Sequence, residues 1–390
     1  MKKIAILNYH MECGGTEKAL LALLKAIDYS NYDVTLYLLY KKGPLLIEIP
    51  RQVHVEEVQF TNIKYKYYIS EIKEIGKIQT MMRKIQRKIY KVVNDVDYES
   101  GSIFNEVLNK VCLPVENYDI VCDFSGYGSF LSVMAAKLFN TPVRCMWIHD
   151  EKCDWLRRIE FCLSSFNKIF CVSKSVKQRF DSMYTQFADI SQVFYNLIDT
   201  KEIKEKANKF EVSDIMNEQN TLLTVGRIVN QKGYDIAVRV AYLLKARGNK
   251  FKWYFIGDGE KRKDMEKMIN EYSLFDSIEL LGSKTNPYPY MKKCDMYIQL
   301  SRNEGYPVVL IEARALNCVI VASDIPSIRE QIINGKNGYL VDLNEEEEIA
   351  EKIECILNNT LMCDTVKNNL QNELIDFSGD IQKLYDLIDF

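Results

Sequence analysis

Histidine is nearly missing from this 390-residue sequence: only His10, His54 and His149 occur, far apart, which leaves no multi-histidine metal site to assemble. The eleven cysteines run from Cys13 to Cys363, an odd number with no Cys-x-x-Cys pair. Neither a disulfide framework nor a zinc knuckle is predicted, and most of the thiols are read as small buried apolar groups. No run approaches the roughly 18 consecutive apolar residues of a membrane-spanning helix. The opening MKKIAILNYH turns polar too soon for a secretion signal, so the expectation is a cytoplasmic protein. A nucleic-acid partner is excluded by the lack of any reader motif and by an acidic balance of −3.

What is present points to two domains. The chain is 47% hydrophobic, more apolar material than one core usually holds at this length. Residues 1–195 carry 26 Lys and Arg against 22 Asp and Glu, and residues 196–390 carry 25 against 32, so the halves stand at +4 and −7 and need not share partners. Short β-branched and aromatic runs recur, each followed by a helical pattern. They are KIAILNY, DVTLYLLY, DIVCDFS, VRCMWIHD and KIFCVS in the first half, then TLLTVGRI, FKWYFIGDG, SIELLG, MYIQLS and VIVASD in the second. Near-continuous apolar strands are those of parallel sheets covered on both faces, so two successive doubly wound α/β domains are predicted.

The boundary falls near FYNLIDTKEI, giving a first domain over 1–195 and a second over 196–375. Residues 376–390 place Ile381, Leu384, Leu387 and Ile388 on one helical stripe, which must dock somewhere. Residues 76–93, GKIQTMMRKIQRKIYKVV, form a basic amphipathic helix with no acid in it. Such a helix serves equally as peripheral contact with an anionic membrane or as an ordinary surface helix with solvated charges.

Three places carry candidate chemistry. After the first strand, Gly14 and Gly15 precede a helix expected to begin near Thr16, whose unpaired amides suit a phosphate, although a plain turn explains the glycines as well. In TVGRIVNQKGYDIA, Gly226 and Arg227 follow a strand and Lys232 stands five residues on, so two cations can converge on one diphosphate. In LSRNEGYPVVLIEARAL, Asn303, Glu304, Gly305 and Tyr306 form the loop between a strand and a helix, Pro307 suits the first turn, and Glu312 lies on the helix itself. Carboxylates repel phosphate but accept sugar hydroxyls, so acids set among cations and helix amides suggest a nucleotide sugar. An acid favoured by the helix dipole would account for Glu304 but poorly for Glu312. His149, at a strand's carboxyl end, can donate to a sugar hydroxyl or serve as a structural residue.

Taken together these residues resemble glycosyltransferase family 4, the retaining nucleotide-sugar transferases of the GT-B fold. VGRIVNQKG is similar to that family's donor-phosphate motif and EGYPVVLIE to its Glu-x7-Glu motif; GDGEKRKDME, LLGSKTNPYPYMKKCD and IVASDIPSIREQIINGKNGYLVD are similar to intervening and following segments. The likeness runs along nearly the whole chain and is more specific in the second half. It implies two Rossmann-like domains facing across a cleft, with the final helix crossing back to the first. It implies Arg227 and Lys232 on the donor diphosphate, Glu304 on the transferred sugar, Glu312 on the ribose, the Gly14–Gly15 turn closing on phosphates, and His149 near C6 of the sugar. Gly282 and Asn303 would shape the loops that read base and sugar. Asn317 stands where many members have glycine, and Pro307 replaces another frequent glycine and removes one amide donor.

The implied reaction retains anomeric configuration without a metal or other cofactor. UDP is expected over GDP as the base, on family frequency alone. The implied acceptor is a saccharide, lipid-linked, with surface polysaccharide assembly at the inner membrane face as the setting. A metal-dependent transferase would use an Asp-x-Asp pair; Asp95 and Asp97 have that spacing but follow the basic helix rather than an apolar strand. A sugar-nucleotide epimerase of the same fold, or a non-catalytic homologue that binds donor and acts as a scaffold, remain the other readings.

Overall fold

The apolar runs become two parallel sheets. A computed structural model describes residues 1–61, 104, 107–113, 116–212 and 220–389. The expected basic helix at 76–93 and the pair Asp95 and Asp97 lie outside the described residues. The chain divides into two compact units: one holds Met1–Val172, Val176–Tyr195 and Ser378–Phe390, the other Ser173–Ser175 and Asn196–Phe377.

In the first unit, strands β1 (Lys2–Asn8), β2 (Tyr32–Leu38) and β3 (His54–Glu57) precede a small antiparallel pair, β4 (Gln59–Phe60) with β5 (Val111–Cys112). Then come β6 (Ile120–Asp123), β7 (Val143–Ile148), β8 (Lys168–Cys171) and β9 (Ser191–Val193). The seven-stranded sheet runs β3-β2-β1-β6-β7-β8-β9, all parallel, so the order reverses between β1 and β6. The last helix, Asp380–Ile388, belongs to this unit. It buries Leu384 and Ile388, stacks the Tyr385 ring on Tyr32 at 4.5 Å, and accepts at its Ile388 carbonyl from Lys2 Nζ.

The second unit holds β10 (Thr221–Val225), β11 (Lys252–Ile256), β12 (Ile278–Gly282), β13 (Met296–Gln299), β14 (Ile320–Ser323) and β15 (Tyr339–Val341). They pair in parallel in the order β12-β11-β10-β13-β14-β15, so the reversal lies between β10 and β13. Alternate residues of each strand enter opposite cores. Leu222, Trp253 and Phe255 pack with the helices Tyr234–Ala246 and Glu346–Leu357 on one face. Leu223, Tyr254 and Ile256 pack with Tyr288–Lys293 and Val308–Ala315 on the other. Burial on both faces is why these strands read as continuous apolar runs rather than alternating ones. Seven of the eleven cysteines are buried and all are free; burial pushes the Cys153 and Cys162 thiols up to about 12, so they pack as apolar groups.

Candidate functional site

In an open parallel sheet the strand on each side of the reversal sends its following loop away from the other, leaving a crevice beyond the carboxyl ends. In the second unit that crevice lies after β10 and β13, where the candidate residues of Gly226–Lys232 and Asn303–Glu312 emerge. Arg227 is exposed, and its guanidinium meets no hydrogen-bond or ion-pair partner among the described residues. A short turn, Asn230–Lys232, then ends at Gly233, whose φ of +64° is left-handed and whose absent Cβ would lie 1.9 Å from the Leu300 carbonyl oxygen. Only glycine allows that approach, and the approach presses the lysine loop against the end of β13.

The result is a contact between residues 72 positions apart: Lys232 Nζ lies 2.5 Å from Glu304 Oε1. Glu304 is only 6% exposed and also accepts from Gln299 Nε2 at 3.1 Å, so its charge is both paired and hydrogen-bonded, as burial demands. The loop is tied to the lysine turn by Gln231 Nε2 donating to the Asn303 carbonyl at 2.9 Å and by the Arg302 amide donating to the Gln231 carbonyl. Gly305 is buried, and its amide has no partner among the described residues. Tyr306 accepts at its carbonyl from Asn196 Nδ2 and sets its ring edge-on to Phe377. The helix is Val308–Ala315, so Pro307 stands just before it in extended backbone rather than in its first turn. Gly282 ends β12 with φ of +70° and open space where a side chain would be.

Glu312 is 1% exposed, and Oε1 accepts from the Tyr288 hydroxyl at 2.8 Å. Neither Tyr288 nor Gln299 is prominent in the sequence. Both sit inside apolar runs that read as core, and only the polar atom at the end of each side chain sets it apart.

In the first unit the reversal lies after β1 and β6, and the two loops meet where Thr16 Oγ1 lies 3.1 Å from the Tyr127 hydroxyl. The helix begins at Gly15, with Gly14 before it in ordinary extended backbone and no side-chain cap. The carboxylate of Glu17 lies over Gly14, where an added Cβ would meet Glu17 Oε2 at 2.1 Å, while its Oε1 is 3.2 Å from His10 Nδ1. This helix start is therefore already faced by the chain's own anion. Asp123, buried at the end of β6, gathers the loop through Ser125 Oγ, the Gly126 amide and Ser132 Oγ, and burial raises its carboxyl above the usual range.

His149 corrects one sequence expectation. Its Nε2 lies 2.6 Å from the Phe124 carbonyl oxygen, which can only accept, so Nε2 carries the proton. Burial pushes the imidazole down to about 4, leaving the ring neutral at pH 7. The other ring nitrogen, Nδ1, is left with a lone pair, so a hydroxyl meeting it would donate to it rather than accept from it.

Among the described residues no three His, Cys, Asp or Glu side chains cluster as metal ligands would, and no helix is long and apolar enough to cross a membrane.

Residues 205–373, nearly all of the second unit, match the family model described as Glycosyl transferases group 1. A relative from Campylobacter jejuni, N-acetylgalactosamine-N,N'-diacetylbacillosaminyl-diphospho-undecaprenol 4-alpha-N-acetylgalactosaminyltransferase, is 30% identical over 178 residues, 45% of this chain and 47% of that protein. The poly(ribitol-phosphate) alpha-N-acetylglucosaminyltransferase of Staphylococcus aureus is 24% identical over 304 residues, 74% of this chain and 58% of its own length. The chain thus spans about half the length of the curated relatives it matches. Among solved structures, Anabaena HepE in complex with UDP and glucose superposes with a TM-score of 0.73 at 16% identity over 100% of both chains, a likeness of fold.

Proposed function

The second unit is a glycosyl transferases group 1 domain and the chain has the GT-B fold of two Rossmann-like domains; from that premise we propose that it is a retaining glycosyltransferase. It moves a hexosyl unit from a UDP sugar to a saccharide acceptor, lipid-linked, in surface polysaccharide assembly. The relatives' named reactions support the class of chemistry, and the UDP complex of the Anabaena neighbour supports the base. The observation that carries the reading is the grouping at one switch point of a guanidinium with no partner among the described residues, a lysine and two buried carboxylates.

In this reading Arg227 and Lys232 take the diphosphate, with the Gly305 amide as a further donor. Glu304 and Glu312 accept hydroxyls from the sugar and the ribose, and in the first unit His149 Nδ1 offers a further hydroxyl acceptor. The acceptor hydroxyl attacks on the face from which the diphosphate departs, and a phosphate oxygen takes its proton. The cations and amides stabilise the leaving charge, so the chain contributes positioning and electrostatics and requires no metal. The setting is the cytoplasmic face of the membrane, with the protein peripheral to it.

The test is thermal stabilisation by a panel of UDP, GDP and ADP sugars, since a ligand that binds only the folded state raises Tm. The expected result is a shift with UDP sugars that Glu312→Ala removes. No shift with any nucleotide sugar would overturn the reading, and activity abolished by EDTA would overturn its metal-independent part.

A further inference from the structure

Lys232 and Glu304 are assigned opposite tasks, one to phosphate and one to sugar, yet they are bonded to each other. When the lysine turns to a diphosphate, the buried carboxylate loses its cation. Something else must then keep Glu304 aimed, because a buried carboxylate left without a partner would swing toward water.

The structure holds a second partner that does not move with the lysine. Gln299, the last residue of β13, is 1% exposed, and its Nε2 donates to Glu304 Oε1 at 3.1 Å and to Ser301 Oγ at 2.6 Å. Its orientation is favoured from behind: the buried Tyr297 hydroxyl lies 2.9 Å from Gln299 Oε1 and 3.3 Å from the Val225 carbonyl oxygen, so its one proton goes to the nearer acceptor, the amide oxygen. The reversed amide would set a carbonyl oxygen 3.1 Å from the carboxylate, a repulsion that leaves the observed orientation as the only stable one. Ser323, at the end of β14, anchors the same loop by donating through Oγ to the Ser301 carbonyl at 2.6 Å. Three side chains, Tyr297, Gln299 and Glu304, thus form a rigid row running from inside the sheet to its carboxyl edge.

We propose that Gln299 is a positioning residue that holds Glu304 in its sugar-accepting orientation once Lys232 has engaged the donor diphosphate. This rests on the reading of Glu304 as a sugar contact and Lys232 as a phosphate contact. The Lys232–Glu304 bond is then a resting-state clasp. Phosphate opens it, and Gln299 keeps the released carboxylate in place, so phosphate and sugar recognition are coupled.

The inference separates sugar from phosphate and is tested by comparing UDP with UDP-glucose and UDP-N-acetylglucosamine by titration calorimetry. In Gln299→Met, similar in length but without the amide, the Kd for UDP stays within about twofold while that of the better UDP sugar rises about tenfold, the scale of one hydrogen bond to a charge. Tyr297→Phe, which keeps the ring and frees only the amide orientation, shows the same split at about threefold. A residue that merely supports the fold would weaken UDP and UDP sugar together and lower Tm. Equal weakening of both ligands, or no change in either, overturns the inference while leaving the transferase reading intact. Failure of the unaltered protein to bind any nucleotide sugar overturns the transferase reading and this inference with it.

Discussion

The two units solve the same topological problem with opposite electrostatics. Each sheet reverses its order once, and each sends a glycine-containing loop past the reversal. In the second unit that loop brings Lys232 to Glu304 and leaves Arg227 without a partner among the described residues, so the crevice keeps a positive charge for an anion. In the first unit the corresponding helix start is faced by Glu17, itself against His10, so an incoming phosphate would meet a carboxylate. A shared fold therefore predicts where a ligand can lie but not which ligand; that is decided by a few side chains at the strand ends.

The largest effect expected is on turnover: Arg227→Ala or Lys232→Ala lowers kcat about 100- to 1000-fold, as loss of a partner for developing charge does elsewhere. Glu17→Gln in the first unit leaves kcat within about tenfold if the contrast between the units holds, since a partly exposed charge near a helix start contributes little. A comparable loss in all three variants, read by steady-state assay, would break the comparison. Next comes stability: Gly233→Ala forces a Cβ to within 1.9 Å of a carbonyl oxygen at a left-handed φ. It costs about 2–4 kcal/mol by urea denaturation. A smaller effect attends Tyr288→Phe, which removes one donor to the buried Glu312 and weakens nucleotide binding about three- to tenfold in calorimetry.

The smallest prediction concerns pH. His149 is held neutral in the folded state, with its pKa lowered to about 4 from 6.5. Between those values the unfolded chain binds a proton that the folded one excludes, so stability falls as pH drops from 6.5 toward 4 and is level, for this group, above 6.5. His149→Gln should flatten that slope between pH 6.5 and 5 in chemical denaturation. An unchanged slope would mean that the ring is not enclosed as described.

Nine of the ten strands legible as apolar runs lie inside their sheets between two neighbours, and the tenth, β12, is an edge strand that exposes Glu279 yet still reads as apolar. The strands that did not announce themselves lie at sheet edges. His54–Glu57 reads HVEE, with alternate residues exposed, and Tyr339–Val341 is three residues long, so neither has an apolar run to display. For the site, the spacing of Arg227, Lys232, Glu304 and Glu312 exposed the cations and acids but not their pairing, because the Lys232–Glu304 contact depends on a close approach of Gly233 to Leu300 that no local pattern encodes. The tautomer of His149 was likewise hidden, since it is set by a carbonyl 25 residues away.

The terminal helix Asp380–Ile388 gives the chain an unusual assembly order. Because it packs on Tyr32 and Lys2, the second unit is, in connectivity, an insertion within the first. As the polypeptide leaves the ribosome, residues 196–377 can complete their own sheet and both their cores while the earlier-made unit still lacks the helix that caps Leu384 and Ile388 into its core. The domain synthesised first is the one completed last, and a chain halted at residue 377 would emerge with a finished second unit and an unclosed first one.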